Sequence, residues 1–277
     1  MSVLNVIVRR FLQIPYATSL LPSSLLARGI RYSRLTSYPC FLVAFLLYGM
    51  ESSTRRLLLH YLKERHTDPE KSFQGQMLQD AWIDSAGVKN SYFLDIGAAY
   101  PVKFSNSYAL QQRQWSGLLV EPNSALLLAL EDRKSQYVEI APVAVSTKSG
   151  SSQLVEYGPL SSVVESAMKD IYGAMRQRRL QQGGIEEITT QTFADLITTY
   201  SIPPLIGYLS IDVEGLDFDI LQQFPFDSIR VEAVTIEHNL DLVLRASINQ
   251  FMKKQGFKRV ARRWSSIDSW FIQTDLI

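Results

Sequence analysis

Four polar residues stand at two places in the C-terminal half of the chain where short apolar runs end. Asp212 and Glu214 follow one run, and Glu237 and His238 follow the next. A carboxylate can orient a hydroxyl group and take up its proton, and an imidazole with an ordinary pKa near ~6.5 can do the same at neutral pH. We therefore predict these four as catalytic groups, with Asp212 the foremost. Three of them have a structural alternative: Asp212 would cap its loop, His238 would orient its loop, and Glu214 would brace the site or accept hydrogen bonds from backbone amides.

The same four side chains also offer oxygen and nitrogen ligands for a divalent cation. Nothing in their spacing requires such an ion, so no metal is assigned.

Two earlier strand ends carry acidic residues at a spacing typical of a nucleotide-like ligand site. Asp95 lies near the end of the run 92–96, and Gly97 follows that run directly. Glu121 ends the run 117–121, 26 residues after Asp95. A glycine in such a turn lets a ligand approach the backbone, and a carboxylate at the second strand end can accept hydrogen bonds from ribose hydroxyls. The later glycines of a dinucleotide fingerprint are absent, which disfavours NAD. An N-cap role in the next helix is the structural alternative for Glu121.

Short apolar strands that alternate with helices must position these residues. The predicted strands are 92–96, 117–121, 137–145, 208–213 and 231–237, with 257–263 and 269–273 as a closing pair, and the predicted helices are 105–114, 124–134, 193–200, 217–223 and 240–255. This alternation predicts an α/β, Rossmann-like fold, in which a mostly parallel sheet is covered by helices on both faces. In such a fold the ligand binds beyond the carboxyl ends of the strands.

The segment 95–123 (DIGAAYPVKFSNSYALQQRQWSGLLVEPN) resembles the signature block of the FkbM-type methyltransferases. Upstream, QMLQD at 76–80 is similar to that family's entry segment. Downstream, YLSIDVEG at 208–215 and TIEHN at 235–239 are similar to its later blocks. The resemblance covers about residues 74–275. It implies a class I methyltransferase fold with a seven-stranded sheet, an antiparallel last strand and S-adenosylmethionine as the cofactor.

The resemblance also implies which residues bind this cofactor. Asp95, Gly97 and Ala98 would meet its methionine end, and Glu121 would meet its ribose. The further implied contacts are Gln76, Ser105, Asn106, Pro122, Ala144 and Asp212.

The predicted function is S-adenosylmethionine-dependent methylation, and the resemblance implies a hydroxyl of a sugar, glycan, lipid or secondary metabolite as the acceptor. Residues 161–187 are expected to form a helical cap over the acceptor pocket, and the cations there would favour an anionic acceptor. They are Lys169, Arg176, Arg178 and Arg179. A solvated charged helix is the alternative for this segment. An NAD-dependent oxidoreductase or epimerase and a non-catalytic methyltransferase-like scaffold are the competing functions.

The N-terminal region differs from the rest of the chain in charge. Residues 1–50 contain five arginines and no acidic residue, and their apolar run 38–50 is shorter than the ~20 residues of a spanning helix. We predict a basic, apolar helical extension over 1–74, with an amphipathic helix at 51–66, and the methyltransferase domain over 75–277. Peripheral membrane contact through 1–50 and organelle targeting are alternatives to simple packing of this extension.

The net charge and the cysteine content limit which partners and which cellular compartment we expect. The net charge of +1 gives no argument for nucleic acid, and the single cysteine, Cys40, excludes an internal disulfide and a thiolate zinc cluster. The expected partner is a small-molecule, glycan or lipid acceptor. The expected location is cytoplasmic, with membrane association left open and no prediction of the oligomeric state.

Overall fold

The computed structural model describes residues 73–169, 172–262, 265 and 267–276. The predictions for the helix at 51–66, for membrane contact or targeting through 1–50 and for Cys40 lie outside these residues. Within the described ranges, no helix has both the length and the apolar character needed to cross a membrane.

A seven-stranded sheet forms the centre of the described chain. Its strands are β1 (Tyr92–Ile96), β2 (Ser116–Val120), β3 (Val138–Ala141), β8 (Leu205–Ile211), β9 (Arg230–Glu237), β10 (Phe257–Val260) and β11 (Asp268–Gln273). The order is β10-β11-β9-β8-β1-β2-β3, with β11 antiparallel to both neighbours and the other neighbouring pairs parallel. The predicted Rossmann-like α/β fold with an antiparallel last strand is confirmed.

Helices cover the sheet because its central strands are apolar on both faces. Leu94, Leu209 and Val234, on β1, β8 and β9, have no exposed surface. The helices are α1 (Gln79–Ser85), α2 (Tyr108–Gln112), α3 (Ser124–Leu130), α4 (Gly173–Gln181), α5 (Phe193–Thr199), α6 (Asp217–Leu221) and α7 (Leu242–Lys254), with 3₁₀ turns at Glu131–Arg133 and Thr274–Leu276. The predicted helices at 105–114 and 217–223 were too long, since α2 and α6 occupy only five residues each.

A second, four-stranded sheet lies between β3 and β8 in the chain. Its strands are β4 (Ala144–Val145), β5 (Gly150–Val155), β6 (Ser162–Val163) and β7 (Ile185–Gln191), in the order β4-β7-β5-β6.

Two sequence predictions were wrong in this region. The run 137–145 is not one strand: β3 ends at Ala141, directly before Pro142, which has no N–H to donate to a ladder. The segment 161–187 is not helical throughout, because its described residues contain β6, the helix α4 and the start of β7; that it covers the acceptor pocket stays a prediction. Burial alternates along part of β7 (IEEITTQ): Ile188 and Thr190 are buried, whereas Glu187 and Thr189 are exposed, as is usual for a half-exposed strand.

Candidate active site

The carboxyl ends of β1, β2, β8 and β9 meet at one edge of the main sheet. Strands β8 and β9 pair in parallel with Ile211 opposite Ile236. Since successive side chains alternate between the two faces of a sheet, Asp212 and Glu237, one position further along each strand, share a face. The topology therefore brings together two of the predicted catalytic residues.

A cleft lies at this edge, between the ends of β1 and β2 and the loop that follows β8. Five predicted cofactor residues line it: Gly97, Glu121, Pro122, Ala144 and Asp212. Apolar side chains from β2, α3 and the second sheet line it as well; they are Val120, Leu126, Val143, Val145, Leu154 and Val163. Such a cleft suits a ligand with an apolar ring system at one end and polar groups along its length.

Glu121 is one of the buried acids of this cleft, at 5% exposure. Its two carboxylate oxygens accept hydrogen bonds from the backbone N–H groups of Ala99 (3.0 Å) and Asn123 (2.9 Å). Burial raises the pKa of Glu121 to about 7, and these two hydrogen bonds oppose the rise. The helix N-cap is Asn123, whose side chain accepts from the N–H groups of Ala125 and Leu126. Glu121 is therefore not the cap, and the second lone pair of each of its oxygens remains for a ligand hydroxyl.

Gly97 lines the cleft, and the backbone at this position also requires a glycine. It has a φ of 83°, and a Cβ there would lie 1.8 Å from the carbonyl oxygen of Asp212. The N–H groups of Gly97 and Ala98 both donate to the carbonyl of Val120. Both amides therefore already have an acceptor within the protein. The main role of the glycine is to allow close packing of the turn after β1 against the loop after β8.

Asp95 lies behind the cleft and does not line it. It is 2% exposed and accepts a hydrogen bond from Ser107 Oγ at 2.5 Å. Arg133 donates to Ser107 Oγ and to Ser105 Oγ, at 3.2 and 2.9 Å. This network fixes the loop after the glycine turn, so the structure places Asp95 and Ser105 as supports of the loop. A direct contact of Asp95 with a cofactor stays a prediction.

A second pocket adjoins the cleft and is lined by oxygen-rich side chains. Gln76, Asn106, Asp212 and Glu237, all predicted site residues, line it together with Gln79 and Asp268. The Nδ2 of Asn106 donates to Ser210 Oγ at 3.1 Å. Asp212 belongs to both pockets and so stands at their junction.

The carboxylates at this junction crowd one another. One oxygen from each of Asp212, Glu214 and Glu237 lies within 4.8 Å of the other two. Burial raises the pKa of Asp212 to about 7; the charge of Asp217 adds to this rise and a hydrogen bond with Glu237 opposes it. Burial, followed by the charges of Asp212 and Glu214, raises the pKa of Glu237 well above its usual range. Glu237 therefore keeps its proton near neutral pH, whereas Asp212, with a pKa of about 7, can gain or lose a proton there, as a general base requires.

Glu214 is held by the segment that was expected to be a cap. Arg176, whose side chain has no exposed surface, donates to Glu214 Oε2 at 2.7 Å and to the carbonyls of Leu160 and Ala167. Ser162 Oγ donates to the Glu214 carbonyl at 2.7 Å. The backbone of Glu214 has a φ of 58°, which costs a non-glycine residue about 1–2 kcal/mol, so these bonds hold a strained turn in place.

The family comparison agrees with this geometry. The model of the methyltransferase FkbM domain matches residues 95–259, more than half of the chain. The chain belongs to the FkbM methyltransferase family. None of the curated proteins and none of the solved structures matches it.

His238 of this FkbM-family chain lies apart from the carboxylates. It follows Glu237 directly, so its side chain takes the opposite face, where it lines a cavity of about 400 Å³ with Phe218 of α6 and Leu244 of α7. Burial, followed by the charges of Arg259 and Arg245, lowers the pKa of His238 to about 4. His238 is therefore separated from the three carboxylates, and its catalytic role stays a prediction.

The expected anionic-acceptor role of the cap cations also finds little support in their contacts. Arg176 pairs with Glu214, Arg179 with Glu156 at 3.5 Å and Lys169 with Asp219 at 3.1 Å. These three side chains are therefore engaged with carboxylates of the chain itself, and only Arg178 of the four has no such pair within the described ranges.

Sequence reasoning missed Asp268 and Gln79. Asp268 begins β11 opposite Glu237, and its Oδ2 accepts from Gln79 Nε2 at 2.9 Å and from Trp270 Nε1 at 2.7 Å. The signal for Asp268 was its position directly before the predicted strand 269–273, whose antiparallel pairing brings its first residue to the carboxyl edge of the sheet.

Proposed function

We propose that this FkbM-family protein uses S-adenosylmethionine to methylate a hydroxyl oxygen of its acceptor. The observation that carries the proposal is the continuity of the site: the cleft that holds Glu121 ends at Asp212, where a second, carboxylate-lined pocket begins. One pocket is suited to an adenosyl group and the other to an acceptor, and the junction is the place for methyl transfer.

The cleft residues fit the proposed cofactor in type and position. The buried carboxylate of Glu121 is fixed by two backbone amides, so it is ready to accept hydrogen bonds from the two ribose hydroxyls. The apolar wall formed by Val143, Val145 and Leu154 suits the adenine ring. When bound, S-adenosylmethionine supplies a methyl group carried on a positively charged sulfur.

The carboxylates at the junction suit a hydroxyl acceptor. Asp212 and Glu237 are hydrogen-bond acceptors when ionised, and a hydroxyl supplies the donor that they need. The acceptor oxygen forms the new C–O bond, the S–C bond breaks with its electron pair left on sulfur, and the hydroxyl proton passes to a carboxylate. Because the pKa of Asp212 lies at about 7, this residue can take up a proton under neutral conditions. The acceptor classes proposed are a sugar, glycan, lipid or secondary metabolite.

Calorimetric titration tests the cofactor part of this proposal. Purified full-length protein is titrated with S-adenosylhomocysteine and, separately, with NAD. Saturable binding of S-adenosylhomocysteine alone is expected. Binding of NAD alone would overturn the proposal in favour of an oxidoreductase or epimerase, and binding of neither by folded protein would favour a scaffold.

A labelling screen tests the acceptor part. Protein is incubated with methyl-deuterated S-adenosylmethionine and with sugar, glycan, lipid or metabolite fractions, and the products are identified by mass spectrometry. The proposal expects the label on oxygen, and a label found only on nitrogen would contradict it.

A further inference from the structure

The pocket beyond Asp212 brings three acidic side chains together. Asp212, Glu237 and Asp268 all line it, and Glu237 and Asp268 are 7% and 5% exposed. Among the described residues, no Lys, Arg or His forms an ion pair with any of these three, whereas the neighbouring Glu214 pairs with Arg176. Buried carboxylates are stable when they are paired or bound to a metal ion, so a cation that binds in this pocket would be stabilised.

Three of the carboxylates are arranged as ligands. The oxygen atoms that Asp212, Glu214 and Glu237 can each offer lie within 4.8 Å of one another, close enough to surround one ion. The three residues come from the loop after β8 and from the end of β9, so the sheet itself sets their separation.

Asp268 gives an independent indication of a ligand. Its Oδ2 accepts two hydrogen bonds, from Gln79 and Trp270, which fix the carboxylate in the wall of the pocket. Its Oδ1 is buried and has no hydrogen-bond partner. The Oδ1 of Asn106, another wall residue, is also buried without a partner, while its Nδ2 donates to Ser210. Both atoms are oxygen acceptors, and a buried acceptor without a donor is costly.

We propose that Asp212, Glu214 and Glu237 bind one hard divalent cation of the Mg²⁺ or Mn²⁺ class. Their ligand set is all oxygen, which suits these ions, and His238 is excluded from it because its side chain lies on the other face of the sheet. Glu214 lines the cleft, whereas Asp268 and Asn106 line the adjoining pocket with Asp212 and Glu237, where their Oδ1 atoms would accept hydrogen bonds from water on the ion. As far as it concerns catalysis, this inference rests on the proposed function and changes one part of it. The ion would hold the acceptor hydroxyl and make it more acidic, and because it would also keep Asp212 ionised, the hydroxyl proton would pass to water and not to Asp212.

Mn²⁺ binding to the full-length protein, stripped of metal with a chelator, tests the site without any assay of activity. Free Mn²⁺ is measured by electron paramagnetic resonance while protein is added. One saturable site per chain is expected, and excess Mg²⁺ should displace the Mn²⁺. Asp212→Asn and Glu237→Gln should abolish saturable binding, and Asp268→Asn should weaken it by about tenfold, as is usual for groups that bind the ligands or waters of a metal.

The control is Glu139→Gln, which removes the same charge from an exposed position on β3 and should leave Mn²⁺ binding unchanged. Circular dichroism melting establishes that each variant is folded. No saturable Mn²⁺ site in the wild type, or one that survives both Asp212→Asn and Glu237→Gln, would overturn the proposal. Calorimetry with S-adenosylhomocysteine on the same samples separates the metal site from the proposed cofactor site. Cofactor binding without a Mn²⁺ site would overturn only the metal site, and a Mn²⁺ site without cofactor binding would overturn only the proposed function.

Discussion

Glu121→Gln tests the assignment of the ribose contact. The exchange keeps the shape of the side chain but replaces an ionised acceptor with a neutral amide. A hydrogen bond to a charged group contributes about 1.5–3 kcal/mol. Because glutamine keeps one acceptor oxygen, we expect a net loss of about 2–3 kcal/mol from two ribose bonds, which corresponds to about 30–150-fold weaker binding of S-adenosylhomocysteine.

The raised pKa of Glu121 adds a pH signature to this prediction. With a pKa of about 7 in the free protein, the carboxylate is about one-tenth ionised at pH 6 and about nine-tenths ionised at pH 8. Ribose hydroxyls donate to the ionised form, so binding lowers the pKa and releases a proton. Affinity should therefore rise about tenfold between pH 6 and pH 8 in the wild type.

Isothermal titration calorimetry at the two pH values measures both effects. Glu121→Gln should show a smaller dependence on pH than the wild type, and Glu139→Gln should match the wild type at each pH. Thermal unfolding of each protein controls for damage to the loops that Glu121 bridges. Equal affinity of the wild type and a folded Glu121→Gln variant would refute the ribose contact.

Two further predictions concern the side chains around the junction. Arg176→Met removes the buried ion pair with Glu214 and should cost about 3–5 kcal/mol of unfolding free energy, seen as a lower melting temperature. Arg178→Met, at an exposed position on the same helix, should change the unfolding free energy by no more than about 0.5 kcal/mol. Equal melting temperatures of the two variants would show that the ion pair is not structural. The pKa of His238 is about 4, so its ring should stay neutral between pH 5.5 and 8 in an NMR titration, and a midpoint near 6.5 would contradict the burial described for it.

The central sheet and the meeting of Asp212 with Glu237 could be predicted from the sequence. Strands β1, β8 and β9 are short apolar runs followed by polar residues, and parallel strands carry such residues to one edge. The opposite placement of Glu237 and His238 was also available from the alternation of side chains along a strand. Two residues adjacent in sequence at the end of a strand therefore need not belong to the same site.

The second sheet and the role of Arg176 could not be predicted in the same way. Strand β7 exposes Ile185 and Glu187, so its sequence lacks the alternation of apolar and polar residues that predicts a strand. Its charged residues are instead typical of a helix. Arg176 lies in a charged stretch whose neighbours face solvent, and only the tertiary fold places it against Glu214, 38 residues away. Asp268 likewise depends on a long-range antiparallel pairing, with Glu237.

A crystal structure of the protein with S-adenosylhomocysteine would show whether the cofactor occupies the cleft at Glu121. We expect the ribose hydroxyls within hydrogen-bond distance of Glu121, the adenine between Val143 and Leu154, and the sulfur directed toward Asp212. An adenosyl group bound elsewhere, or a ribose that does not touch Glu121, would contradict the proposed cofactor site.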